Sequence, residues 1–238
     1  MPKLDDLIKI HTSSELRGLN KLLKSWSEVV TDYCRDDLEN NCWWHTERAN
    51  ISTLAGAAWR LNEGWIALEE FSTKKRHRII VDQEVKRKKP YANGRCDLFV
   101  SHKSTSFAME AKQAWKRMNE GNRLFKDAVS EAMKSAIVDA DNLVPDEANI
   151  LLGIVFSAPR IPLSKVAKKN DSSQADSVIT RSYVENWIKS SELNQYDAWA
   201  YVFPAKCEKL INITGKSVFP GVLLTINQVK LRHKRSRI

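Results

Sequence analysis

The chain has 238 residues, enough for one fair-sized domain whose core needs no disulfide or metal staple. Its 42% hydrophobic and 28% charged residues are those of a folded globular protein and argue against wholesale disorder. A net charge of +9 favours a polyanionic partner, because clustered Lys and Arg release counterions from phosphates; the longest apolar run, Ile150–Phe156, is far too short to cross a bilayer.

Met1–Ile10 carries Asp5 and Asp6 and lacks the character of a signal peptide. A cytoplasmic, reducing setting with free thiols is therefore expected for Cys34, Cys42, Cys96 and Cys207, none of which forms a C-x-x-C pair. The first forty residues read as helical, with Leu16, Leu19, Leu22, Leu23 and Trp26 on one stripe. A second helix is expected from Thr46 to Leu61, with Ile51, Leu54, Ala55, Ala58 and Trp59 inward and Asn62-Glu63-Gly64 at its end.

Trp65–Phe71 reads as a strand, followed by the basic runs Lys74–Arg78 and Lys86–Lys89 on either side of a strand-like Ile79-Ile80-Val81. Pro90, Asn93 and Gly94 suggest a turn. Asp97–Val100 and Phe107–Lys112 read as two short strands joined by a polar loop, Ser101–Ser106. Helical periodicity runs from Met118 to Ala140. The uninterrupted Ile150–Phe156 suits a strand buried on both faces, ended by Pro159 and Pro162. Lys165–Ser177 reads as a polar loop, Arg181–Ser191 as a helix, and Trp199–Phe203, Leu210–Ile213 and Val218–Ile226 as strands before a basic tail. The order predicts an α/β fold, a mixed sheet flanked by helices. It has an N-terminal helical extension at 1–45 packed on a core at 46–157, and C-terminal α+β additions of the same domain at 158–238.

The chemistry concentrates between Gly94 and Lys112. Glu110 and Lys112 are two apart on a predicted strand and so share a face, while Phe107, Met109 and Ala111 share the other. Burying either charge alone would be costly. An antiparallel hairpin centred on Lys103-Ser104 places Asp97 directly across from Glu110. Two carboxylates forced together repel unless a cation sits between them, and hard oxygen ligands point to Mg²⁺, with Mn²⁺ as a substitute. Lys112 is then placed to orient an attacking water and to stabilise charge on phosphoryl oxygens.

From residue 46 to 157 this segment resembles the PD-(D/E)XK nuclease superfamily, whose signature of an Asp, then Glu or Asp, one residue and Lys is matched by Asp97, Glu110 and Lys112. Cys96 stands where the superfamily name has Pro. The resemblance implies a restriction-endonuclease-like core and a Mg²⁺-dependent endonuclease-type phosphodiesterase acting on nucleic acid, with DNA expected ahead of RNA and RNA left open. It implies Asp97, Glu110 and the Ala111 carbonyl as metal ligands. A further acid from the first core helix is met best by Glu47, with Glu69, Glu70 and Glu84 as rivals. Lys74, Lys75, Arg76, Arg78, Lys86, Arg87, Arg95 and Gln113 are candidates for nucleic-acid contact. Trp43 and Trp44 could stack bases, and His45 could act as a base. The rival expectation is a non-catalytic or partner-dependent nucleic-acid-binding protein with the same fold; a homodimer or a protein partner completing the groove stays open. No P-loop, G-x-G-x-x-G or H-E-x-x-H is present, so nothing supports an ATPase, dinucleotide enzyme or zinc protease.

Overall fold

The computed structural model describes residues 6–34, 41–76, 91–117, 123–144, 148–162, 173–209 and 217–230. Among them lie β1 (Leu7–Thr12), α1 (Asn20–Tyr33), α2 (Glu47–Arg60), β2 (Trp65–Arg76), β3 (Tyr91–His102), β4 (Thr105–Arg117), α3 (Arg123–Asp141), β5 (Ile150–Pro162), α4 (Ser173–Ser190), β6 (Ala198–Phe203), β7 (Ser217–Val218) and β8 (Val222–Gln228). The strands make one open sheet in the order β1-β6-β8-β5-β4-β3-β2, with β7 beside β5. Among these strands only β4 and β5 are parallel. The connection between them carries α3, since parallel neighbours need a long crossover. The protein is thus mixed α/β. No helix among the described residues is long and apolar enough to cross a membrane.

Helices cover both faces. On one, Leu22, Leu23, Trp26 and Val30 of α1 meet Ile51, Leu54, Ala55, Ala57 and Ala58 of α2 above Leu98, Val100, Phe107, Met109 and Ala111 of the sheet. The small residues of α2 let α1 come close enough for Ser25 Oγ to donate to the Ala57 carbonyl at 2.9 Å. Trp26 Nε1 donates to Thr53 Oγ1 at 3.0 Å. On the other face α3 and α4 bury Val129, Met133, Ala136, Val184 and Trp187. Here α3 lies directly on the backbone of β5, because position 153 is glycine: a Cβ there would stand 2.8 Å from the Ile137 nitrogen.

Several expectations need correction. The first forty residues are not all helical. Leu7–Thr12 is an edge strand paired antiparallel to β6, from Leu7↔Phe203 to Thr12↔Ala198, and helix α1 begins only at Asn20. The apolar stripe at Leu16–Trp26 had masked the β-branched alternation before it. Trp59 points to solvent at 53% exposure, and Ala57 takes the inward place.

Asn93 and Gly94 lie within β3, not in a turn. The expected loop Ser101–Ser106 shrinks to Lys103-Ser104, since His102 pairs with Thr105 and Lys103 takes the left-handed conformation the turn needs (φ 55°). Strand β4 continues to Arg117, leaving α3 to start at Arg123 instead of Met118. Strand β5 runs through Pro159 to Pro162. Pro159 lies opposite Lys116 of β4, and on its other edge it falls between the end of the β8 ladder at Ser157 and the start of the β7 ladder at Ile161.

Helix α4 starts at Ser173, inside the stretch expected to be loop. The expected strand Val218–Ile226 is broken at Phe219-Pro220-Gly221 into β7 and β8. The expected strands Ile79–Val81 and Leu210–Ile213, the run Lys86–Lys89 and the tail from 231 lie outside the described residues.

Candidate active site

The β3–β4 hairpin has the register expected from its turn, through Leu98↔Met109. One step further the ladder stops, and Asp97 does not pair with Glu110. On its other side the β2–β3 ladder also skips Asp97, passing from Glu69↔Leu98 to Phe71↔Cys96. Glu70, at the skipped position of β2, has φ 52°. Leu98 and Val100 face the α1–α2 core, whereas Cys96 faces the layer under α3, so the facing of the strand switches at Asp97. Such a kink re-aims one side chain. It sends the Asp97 carboxylate toward β4, where Oδ2 accepts the Ala111 N–H at 2.8 Å. Cys96 fastens the kink from behind, its thiol donating to the carbonyls of Leu98 (3.3 Å) and Met109 (3.4 Å). Burial, with the negative charge of Glu110 nearby, pushes that thiol up to about 12, which keeps the S–H donor in place.

Strand β4 alternates as expected. Phe107, Met109 and Ala111 enter the α1–α2 core, while Ala108 and Ala114 pack under α3. Glu110 is 2% exposed, and its Oε1 lies 2.7 Å from Lys75 Nζ. Burial dominates its titration. Lys75 and Lys112 pull the carboxyl down and Asp97 pushes it up, leaving it raised to about 7.

Lys112 reaches Asp139 of α3 at 2.9 Å and donates to the Ala111 carbonyl at 3.0 Å. Burial alone would lower its pKa; the Asp139 hydrogen bond and charge, with Glu47 and Asp97 behind them, outweigh burial and hold the ammonium protonated. Glu47 enters from the first turn of α2, accepting the backbone N–H of Gln113. Burial raises its pKa; Lys112 opposes this, and the charges of Asp97 and Asp139 add to it.

Glu47, Asp97, Glu110 and Lys112 are thus brought into one electrostatic cluster, joined by two residues that the sequence did not assign to it, Asp139 and Lys75. The only sequence cue to Asp139 is an acid one step before the inward Ala140 of an amphipathic helix, a pattern shared by many solvated acids.

The rivals of Glu47 are engaged elsewhere. Glu69 accepts from Ser52 Oγ at 2.9 Å, and Glu70 is clasped by Arg48 (2.6 Å) and Arg95 (3.2 Å), whose hydrogen bonds lower its pKa. Glu84 lies outside the described residues, as do Arg78, Lys86 and Arg87. Lys74, Arg76 and Arg95 are exposed, but Lys75 is turned inward, away from the surface role expected of it. The Gln113 amide donates to the carbonyls of Trp43 (3.3 Å) and His45 (3.1 Å) instead of standing free for a substrate. Trp43 is buried with its indole donating to the Phe219 carbonyl and is not free to stack bases, whereas Trp44 is half-buried and meets Phe219 at right angles. His45 is exposed.

With all six groups ionised, four carboxylates (Glu47, Asp97, Glu110, Asp139) and two ammoniums (Lys75, Lys112) leave two negative charges. Among the described residues no three Asp, Glu, His or Cys side chains gather into a closed cation cage. Mg²⁺ does not need one: it takes one or two carboxylates and keeps several waters. The all-oxygen set of Asp97, Glu110 and the Ala111 carbonyl fits that demand. No family model matches the chain, and no curated protein or solved structure matches it.

Proposed function

We propose that the chain is a metal-dependent nuclease that hydrolyses nucleic-acid phosphodiester bonds, with DNA as the first substrate to test, on a restriction-endonuclease-like core. The observation that carries the reading is the kink at Asp97. It delivers a carboxylate to β4 beside Glu110 and Lys112, among described groups that sum to two negative charges when all are ionised. A hairpin with no task beyond folding gains nothing from burying the Glu110 carboxylate.

Asp97, Glu110 and the Ala111 carbonyl would hold Mg²⁺ or Mn²⁺, which when bound supplies Lewis-acid polarisation of the phosphoryl group and a more acidic water. Lys112, kept protonated, offers N–H donors to the phosphoryl oxygens and aligns the attacking water. Asp139 is a positioning residue: its bond at 2.9 Å fixes where that ammonium stands. Glu47, with its raised pKa, is placed to take a proton from the water or to hold it by hydrogen bond. Lys74 and Arg76 on β2 and Arg95 on β3 supply phosphate contacts that set position and carry no sequence information.

One observation favours the second reading, a nucleic-acid binder that does not cut alone. Lys112 and Lys75 already neutralise Asp139 and Glu110. Supercoiled plasmid DNA separates the two. The nuclease reading expects nicking with Mg²⁺ that EDTA and Asp97→Ala both abolish; binding without nicking under any divalent ion supports the second.

A further inference from the structure

Lys75 is held in the site with more care than an incidental ion pair requires. Its side chain is 28% exposed and that of Glu110 3%, with Nζ and Oε1 2.7 Å apart. The backbone on either side is clamped. Lys75 pairs with Ala92 of β3 on one edge and bridges Leu143 on the other; Arg76 N–H donates to the Asn142 carbonyl and Val144 N–H to the Lys74 carbonyl. The end of β2 is thereby gripped between β3 and the residues that follow α3. The path of the side chain is also provided for. Gly94 lies on β3 alongside, and a Cβ there would stand 2.8 Å from Lys75 Cγ and 3.0 Å from Cδ. A glycine inside a strand weakens it, so its presence at this point is explained by the stem that must pass. At the far end the ion-pair partner is a carboxylate that water scarcely reaches, where an unpartnered charge is expensive.

We propose that Lys75 is a resident cation on the Glu110 side of the site, a positioning residue that takes by charge the place a second divalent ion occupies in two-metal phosphodiesterases, so that the site takes a single divalent ion. This rests on the nuclease reading. Charge balance supports it. With all six named groups ionised, the four carboxylates less the two ammoniums sum to two negative charges, which one dication cancels. A second dication would leave the half-buried cluster with two excess positive charges, and like charges at short range in low dielectric repel strongly. Lys75 therefore fixes the metal count and holds the Glu110 carboxylate in one orientation.

The test measures Mn²⁺ bound to the full chain by the electron-paramagnetic-resonance signal of free Mn²⁺, for the parent, Lys75→Arg and Lys75→Met. The parent and Lys75→Arg are expected to bind one Mn²⁺. Lys75→Met, with one more uncompensated negative charge, is expected to bind a second Mn²⁺, or to bind the first about tenfold more tightly. Because Lys75→Met strips a buried carboxylate of its partner, melting with and without Mn²⁺ runs alongside. The expected result is a larger rise in Tm with Mn²⁺ for Lys75→Met than for the parent. A Lys75→Met chain with the parent's stoichiometry and affinity overturns the proposal while leaving the nuclease reading intact. So does a parent that binds two Mn²⁺, or a Lys75→Met chain that Mn²⁺ neither stabilises nor refolds while the parent binds one. A parent that binds none beside a Lys75→Met that binds one overturns the proposal as well as the metal-dependent reading of the parent, since Lys75 would then exclude the ion altogether. Binding to none of the three defeats both.

Discussion

Glu110→Gln decides whether burial or Lys75 governs the energetics of the site. Removing one partner of a buried ion pair ordinarily destabilises. Here the carboxyl titrates near 7 in the fold against an ordinary 4.5, burial being the largest cause, so the fold favours its protonated form even with Lys75 beside it. The sign follows. A carboxyl raised in the folded state contributes stability that is complete below about pH 4.5 and is lost as pH climbs to about 7. The gap between those values corresponds to roughly 3 kcal/mol at full extent, of which about 2–3 kcal/mol falls between pH 5 and pH 8. Gln has the shape of the neutral form and does not titrate. Urea unfolding in EDTA at pH 5 and pH 8, for the parent and Glu110→Gln, isolates the effect, because every other titrating group is common to both. The stability of Glu110→Gln relative to the parent is expected to rise by about 2–3 kcal/mol between the two pH values. A difference that is unchanged, or that shifts against the variant as pH rises, would mean that Lys75 outweighs burial and that Glu110 is an ordinary structural partner.

Other substitutions probe the frame around the site. Asp139→Ala frees the Lys112 ammonium, which should slow cleavage by one to two decades, about 1.4–2.8 kcal/mol of transition-state stabilisation, with DNA affinity at fixed salt unchanged. Single-turnover rates beside a binding titration check it, and a loss confined to binding would contradict it. Gly153→Ala places a methyl against the α3 backbone and should lower stability in urea by about 1–3 kcal/mol. Because the same helix carries Asp139, its cleavage should fall further than stability alone explains, measured well below the unfolding midpoint.

Much of this was legible in the sequence because it depended on local rules. The Lys103-Ser104 turn fixes the hairpin register, and register with alternation separates Glu110 and Lys112 from Phe107, Met109 and Ala111. The unbroken apolar run at Ile150 marks a central strand covered on both faces. What was not legible depends on contacts between distant segments. Asp97 leaves the ladder through a kink whose cause lies partly in Glu70 of β2, and no pairing rule applied to the hairpin alone shows it. Lys75 reads as one of a run of surface cations, and only the gap at Gly94 and the clamp from Leu143 turn it inward. Asp139 becomes distinct from its neighbour Asp141 only when α3 settles on Gly153 and the helix is fixed in azimuth. Leu7–Thr12 looks like the start of a helical region until β6, almost two hundred residues later, offers it an edge.

The central claim is that Lys112 acts in the chemical step. Lys112→Ala leaves Asp97, Glu110 and the Ala111 carbonyl in place, and the exposed Lys74, Arg76 and Arg95 still supply counterion release. The deciding measurement is the single-turnover rate of Mg²⁺-dependent plasmid nicking by Lys112→Ala beside its DNA affinity at one salt concentration. The account predicts affinity equal to the parent's and a rate lower by two to three decades, roughly 3–4 kcal/mol. A Lys112→Ala chain that nicks at the parent's rate would contradict it and make the lysine a structural partner of Asp139.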